Sequence, residues 1–234
     1  FELPQLPKSL AVIGSGVIAL ELAQAMTRLG VKTTIFARSR KVGSLTSPEL
    51  QVTAQDVLSQ ELDIHFEVLP EQISLKNDKV HITYTENGHK QNCDVDYILS
   101  ATGRRSLLNT LALEKIDPSF QDIKNLPINS KTKQLADYPI FIVGDAHTAK
   151  PIQHEAAIDG RNVVKNCLGY PNVEEINSIS PLAIVFSSPE MAIAGLSHKQ
   201  LLQQHVLFVT GKVSYERQGR ALVLGKNKGA AEVY

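Results

Sequence analysis

The chain has 234 residues, the length of one large domain or two small ones. It is 43% hydrophobic and 21% charged, ordinary usage for a globular protein, and its 24 basic residues balance 24 acidic ones. Zero net charge removes any global argument for nucleic acid or acidic lipid as partner, and no apolar run reaches the length of a bilayer span or reads as a signal peptide.

Residues 1–7 carry two prolines and read as an extended lead-in. The stretch LAVIGSGVIALE follows at residues 10–21. An apolar run ends in a Gly-Ser-Gly turn, and Ile18, Leu22, Met26 and Leu29 then recur at helical spacing, predicting one apolar face. Gly14 permits a sharp turn. Gly16, having no Cβ, lets a pyrophosphate approach the backbone, and Ala19 still allows close helix–strand packing. The free N–H groups and positive dipole end of the helix, around Val17 and Ile18, suit that anion. The competing reading is an ordinary tight turn between a core strand and a core helix. The strand before, the helix after and a second apolar strand at 31–36 favour a Rossmann-type βαβ start.

In an NAD site the second strand ends in an acid that holds the ribose hydroxyls. Here that place holds Ala37, followed by Arg38, Ser39, Arg40 and Lys41. A guanidinium binds a 2′-phosphate that a carboxylate would repel, so the pattern leans towards NADP(H). The alternative is a solvated basic loop.

Ser47, Pro48 and Glu49 make a helix start, and Val52, Val57, Leu58 and Leu62 are its expected core face. Residues 63–68 read as a third strand. Residues 72–75 and 80–85 read as antiparallel strands turned at Asn77-Asp78, and 97–102 as a buried apolar strand. This pattern predicts an α/β fold in which a parallel Rossmann sheet is interrupted by a β-meander.

Small residues at 100–103, ending in Gly103 and Arg104, sit where open α/β sheets bind ligands. Residues 117–136 are turn-rich. A short strand is expected at 140–143, ending in Gly144-Asp145, where Asp145 could accept from a ligand hydroxyl or cap the next turn. Residues 152–166 read as a helix with Ala156, Ala157, Val163 and Val164 inward, and His154 near its start. A linker spans 169–180 and a boundary falls near Pro181. Beyond it, strands are expected from 184, at 206–213, 221–224 and 230–234, with a helix at 197–204. Cys93 and Cys167 form no paired motif and read as buried, reduced thiols of a cytoplasmic protein. The start at Phe1 and the stop inside an alternating run at Tyr234 suggest a piece of a longer protein.

Together, VIGSGVIALELA, ILSATGR, IFIVGDA and PLAIVFSSPEMAIAGLS resemble the flavoprotein disulfide reductases, most closely the dihydrolipoamide dehydrogenase branch, with the glutathione reductase branch next. The resemblance implies a nicotinamide domain at 1–104, a flavin-domain-completing segment at 105–180, and the start of an α+β antiparallel interface domain at 181–234. It implies NAD(P)H and FAD as cofactors, a small-molecule disulfide or lipoyl substrate, and a homodimer formed through the interface domain. Gly14, Gly16 and Ala19 match the pyrophosphate turn, and Glu21 the helix acid near the nicotinamide. Arg38 matches a 2′-phosphate reader of the glutathione reductase branch. Gly103 matches a glycine touching the nicotinamide cofactor, and Asp145 the aspartate of the ribityl chain. Ile152, Gln153 and His154 match the helix start facing the flavin.

The sequence departs from the family at Ser106-Leu107, where a Pro-Asn pair is usual. The family's first flavin domain, redox cysteine pair and C-terminal His-Glu pair are absent from the sequence, so no catalytic residue is assigned. Two rivals remain: a non-enzymatic nucleotide-binding or dimerisation module, and a transhydrogenase or NADH oxidase relative.

Overall fold

The computed structural model describes residues 3–146, 152–176 and 180–234. Residues 1–2 of the expected lead-in and 177–179 of the expected linker lie outside the described residues. The chain divides into two compact units, residues 1–103 with 182–234, and residues 104–181.

The first unit begins with β1 (Ser9–Ile13), α1 (Val17–Arg28), β2 (Lys32–Ala37), α2 (Pro48–Leu58) and β3 (Asp63–Phe66). A meander of β4 (Pro70–Lys76), β5 (Lys79–Glu86) and β6 (His89–Val95) intervenes before β7 (Tyr97–Ser100). The parallel sheet has the order β3-β2-β1-β7, with β1 inside it, and the meander is a separate antiparallel sheet. The expected mixed α/β class, parallel sheet plus antiparallel sheets, is therefore what the chain adopts.

The helix faces differ from those expected. α1 buries Ala19, Leu20, Ala23 and Gln24, while Ile18 and Leu29 are 47% and 60% exposed. Two alanines let the helix approach the strands closely, so the contact centres on them; of the expected stripe Met26 still packs against the core and Leu22 is half-buried, while Ile18 and Leu29 turn outward. α2 is capped by the Ser47 hydroxyl, which accepts from the Leu50 N–H, but Val52 points to solvent. Gln51 faces inward instead, bonding the backbone of Val42 and Leu45 with both ends of its amide. β7 is half-exposed rather than buried, because it forms an edge of this sheet.

Two charge clusters tie the meander to the parallel sheet. The Asp96 carboxylate accepts from the Lys8 and Ser9 N–H groups and pairs with Lys79 of β5. Lys79 first, then the backbone of Ser9, hold its pKa down at about 2. At the end of β3, the His65 ring stacks on Phe36 and lies 2.9 Å from Glu86 of β5 and 3.5 Å from Asp63. Asp63 and then Glu86 raise the imidazole above its ordinary value, against partial burial.

The remainder of this unit is β8 (Leu182–Val185), β9 (Met191–Ala194), α4 (His198–Gln203), β10 (Gly211–Ser214), α5 (Gly219–Val223) and β11 (Ala230–Val233). The pairs β8-β9 and β10-β11 are antiparallel. Val185 and Met191 enter the same core as Leu10, Val12 and Leu20. The strand expected at 221–224 is α5. The Gln218 side chain accepts from the Ala221 N–H at its start, and local capping sets the conformation where no strand lies alongside. Only the end of the expected 206–213 strand forms, as β10.

The second unit packs four short 3-10 turns between Leu108 and Asn125 around Leu113, Phe120, Leu135 and Ile142. The strand expected at 140–143 does not form. Phe141 makes a single bridge to Gln134, because the neighbouring chain is turned and offers no ladder. The helix of this unit, α3 (Gln153–Gly169), buries Val163 and Asn166. Ala157 and Val164, expected inward, are exposed, and Cys167 is exposed rather than buried. Asn166 accounts for the rotation, since its side chain exchanges two bonds with the backbone of Glu174. Cys93 is half-buried on β6, and burial raises its thiol pKa.

Candidate dinucleotide site

The parallel strands all end on one side of the sheet, and the turn between β1 and α1 lies there. Gly14 has φ +117°, and a Cβ at this position would lie 2.6 Å from the Ala101 carbonyl oxygen. Only glycine allows that approach to the residue just past β7. Three bonds fix the turn: the Gly14 N–H donates to Phe36 at 2.9 Å, the Gly43 N–H to the Ser15 carbonyl at 2.8 Å, and the Ser15 hydroxyl to the Lys41 carbonyl at 2.6 Å. The last two pin the 38–43 loop against the glycine turn. Sequence reasoning gave Ser15 no role, and nothing in its type marks the long-range partner.

Gly16 caps α1 with extended backbone and no side-chain cap bond. A Cβ there would meet nothing within 4 Å. The first amides of α1, at Val17, Ile18 and Ala19, belong to the helix turn whose N–H groups find no partner inside the helix. The space beside Gly16 is open, and a helix start with free N–H groups is the setting in which an anion can be held. Ala19 is fully buried against the sheet, as the close-packing role requires.

Glu21, one turn along α1, accepts from the Phe186 N–H at 2.8 Å. The start of the β8–β9 connection is thereby held beside the first turns of α1, a contact the sequence did not reveal. Ala37 is buried at the end of β2. Arg38 and Arg40 are exposed beyond it, and the Arg40 guanidinium lies 5.2 Å from the centroid of Phe66. Gly103 has φ +117° just past β7.

The other expected contacts belong to the second unit. Arg104 pairs with Asp145 at 2.7 Å, both partly exposed, an ion pair that sequence reasoning missed. Asp145 sits in the turn Gly144–Ala146, whose Gly144 backs onto Ala156 of α3 so closely that a Cβ would lie 2.9 Å from that methyl group. Ile152 caps α3, and Gln153 and His154 are exposed in its first turn. The structure thus brings Arg104 and Asp145 together and sets the turn of Asp145 against the start of α3.

A model of the pyridine nucleotide-disulphide oxidoreductase family matches residues 1–160. The chain belongs to this family. Among curated members, dihydrolipoyl dehydrogenase of Geobacillus stearothermophilus is 28% identical over 228 residues, covering 97% of this chain and 48% of that protein. Mercuric reductase of Streptomyces lividans is also 28% identical, over 99% of this chain and 48% of that protein. The fold is shared with LpdA of Mycobacterium tuberculosis, with TM-score 0.77 and 21% identity over 99% of this chain and 50% of that one. It is shared too with the flavoprotein disulfide reductase RclA of Escherichia coli, with TM-score 0.75 and 20% identity over 99% of this chain and 52% of that one. The chain spans about half the length of the family members it matches.

Proposed function

We propose that this chain is the nicotinamide-binding and flavin-facing half of an NAD(P)H:disulfide oxidoreductase similar to dihydrolipoyl dehydrogenase. The observation that carries the reading is the open cradle at Gly16 at the start of α1, in a chain of this family. The backbone at Gly14, Gly16, Val17, Ile18 and Ala19 receives the pyrophosphate. Glu21, braced by Phe186, and Gly103 border the nicotinamide end, while Ala37, Arg38 and Arg40 border the adenosine ribose. The buried Ala37 and exposed guanidinium groups favour a 2′-phosphate, hence NADPH over NADH.

Asp145, Arg104, Ile152, Gln153 and His154 are the flavin-facing set. Nicotinamide and flavin, when bound, supply the hydride chemistry; this chain's residues bind and orient them. A small-molecule disulfide or lipoyl group is the acceptor of the whole protein, which is a cytoplasmic homodimer in this reading. Cys93 and Cys167 lie in separate units and make no vicinal pair. The chain alone therefore binds nucleotide without reducing a disulfide.

Fluorescence titration with NADPH and NADH tests this. Saturable NADPH binding, tighter than NADH and lost in Gly16→Asp, is expected. No binding of either nucleotide, or equal binding by Gly16→Asp, overturns the reading. Lipoamide or glutathione reduction by the chain alone contradicts its inactivity.

A further inference from the structure

At the end of α1 opposite the glycine turn, a cleft of about 550 Å³ opens between Arg28, Glu61, the backbone around Ser188, and the segment from Gly225 to Lys228. Gly16 and Arg28 bracket the 12 residues of α1, so about 18 Å of helix separates this cleft from the pyrophosphate cradle. None of the residues assigned to nucleotide or flavin lines it.

The charges in the cleft are unequal. Glu61 is already committed: Arg28 donates to it through Nε at 2.6 Å and a terminal nitrogen at 2.9 Å, and Gln24 Nε2 donates at 2.7 Å. Arg28 above all holds this carboxyl below the usual glutamate range. Lys228 donates to Gln60 Oε1 at 2.6 Å, a neutral partner that leaves the ammonium charge in place. Lys226 adds a second exposed ammonium, and Glu190 is the one further acid in the wall. With Arg28 and Glu61 neutralising one another, two ammonium groups face the single remaining acid, Glu190. The volume lies in the range of small-molecule sites. The Ser187 hydroxyl is committed to the Pro189 carbonyl at 2.7 Å, so the anion-binding groups of the cleft are its two flexible ammonium groups, and lysine binds phosphate as a point charge without needing a planar fork.

We propose that this cleft is a second anion site that takes a small phosphate-class oxyanion on Lys226 and Lys228. The site is independent of nucleotide binding at the glycine turn.

The test uses calorimetric titration of the full chain at low salt with glycerol 2-phosphate, with glycerol and inorganic phosphate as separate probes. Saturable binding of glycerol 2-phosphate is expected, with none for glycerol. Lys226→Gln/Lys228→Gln weakens it about tenfold or more, the loss of roughly one good ionic contact. Circular dichroism and NADPH titration of that variant report whether it is folded. Gly16→Asp, which carries a new charge at the other end of α1, leaves phosphate-ester binding unchanged. Absence of saturable binding, or equal binding by the double lysine variant, overturns the proposal. Loss in Gly16→Asp also overturns it, because the probe is then reporting the nucleotide cradle. Binding of inorganic phosphate as tight as that of the ester supports the site and shows that the phosphate group alone is recognised.

Discussion

The side-chain amide of Gln24 forms two hydrogen bonds with the backbone of a single residue, Ser188. Its Oε1 accepts from the Ser188 N–H at 2.7 Å, and its Nε2 donates to the Ser188 carbonyl at 3.0 Å. Gln24 is 3% exposed, so these groups pair with little competition from water. Gln24→Ala leaves the Ser188 N–H and carbonyl without this partner and should destabilise the first unit by about 3 kcal/mol. Urea unfolding followed by circular dichroism measures the shift. A midpoint equal to that of the parent chain would show that the two bonds contribute nothing.

Gly14 and Gly16 separate folding from binding. Gly14→Ala forces a Cβ against the Ala101 carbonyl at positive φ and should cost about 2 kcal/mol or more. Gly16→Ala meets no atom within 4 Å, so its cost is the cap preference alone, about 1 kcal/mol or less. Thermal melts of both variants test the order, and NADPH titration should show weaker binding for Gly16→Ala despite its milder melt.

Asp96 gives the fold an acid limit. Its pKa of about 2 lies below the ordinary aspartate value, so its contribution is complete above about pH 4 and fades as pH falls towards 2. Asp96→Asn keeps an acceptor but loses the charge facing Lys79. It should lower stability at neutral pH and flatten the dependence between pH 4 and about 2, read from urea midpoints across that window.

His65 acts in the opposite sense. Its raised pKa means that its contribution is complete below about pH 6.5 and is lost as pH rises through the folded-state value. Asp63, held below the usual aspartate range by His65 first, contributes above about pH 4 and weakens in acid. His65→Gln should therefore remove the decline in stability on the alkaline side of pH 6.5 while leaving that of Asp96 in place. Melts between pH 2 and 9 separate the two variants; the same alkaline decline in His65→Gln would refute the assignment.

The local signals were the legible ones. The strand–glycine–helix order, the Ser47-Pro48-Glu49 start and the turn at Asn77-Asp78 each depend on neighbours in sequence, and each forms where expected. The faces of α1 and α2 were not legible, because Gln24 and Gln51 are drawn inward by carbonyls and amides that only the folded chain supplies. The stretch 221–224 looked like a strand by composition, yet a strand exists only beside another, and here a Gln218 cap decides first. At the candidate site the backbone cradle was readable. The Glu21–Phe186 bond and the Arg104–Asp145 pair were not, since neither residue type announces a distant partner.

The union of residues 1–103 with 182–234 has a consequence for biosynthesis. Gln24 leaves the ribosome 164 residues ahead of Ser188. At about 5–20 residues per second, roughly ten to thirty seconds pass before its partner emerges. Through that interval the flank of α1 that residues 186–188 later cover is open to water, and water takes the place of the Ser188 backbone at the Gln24 amide.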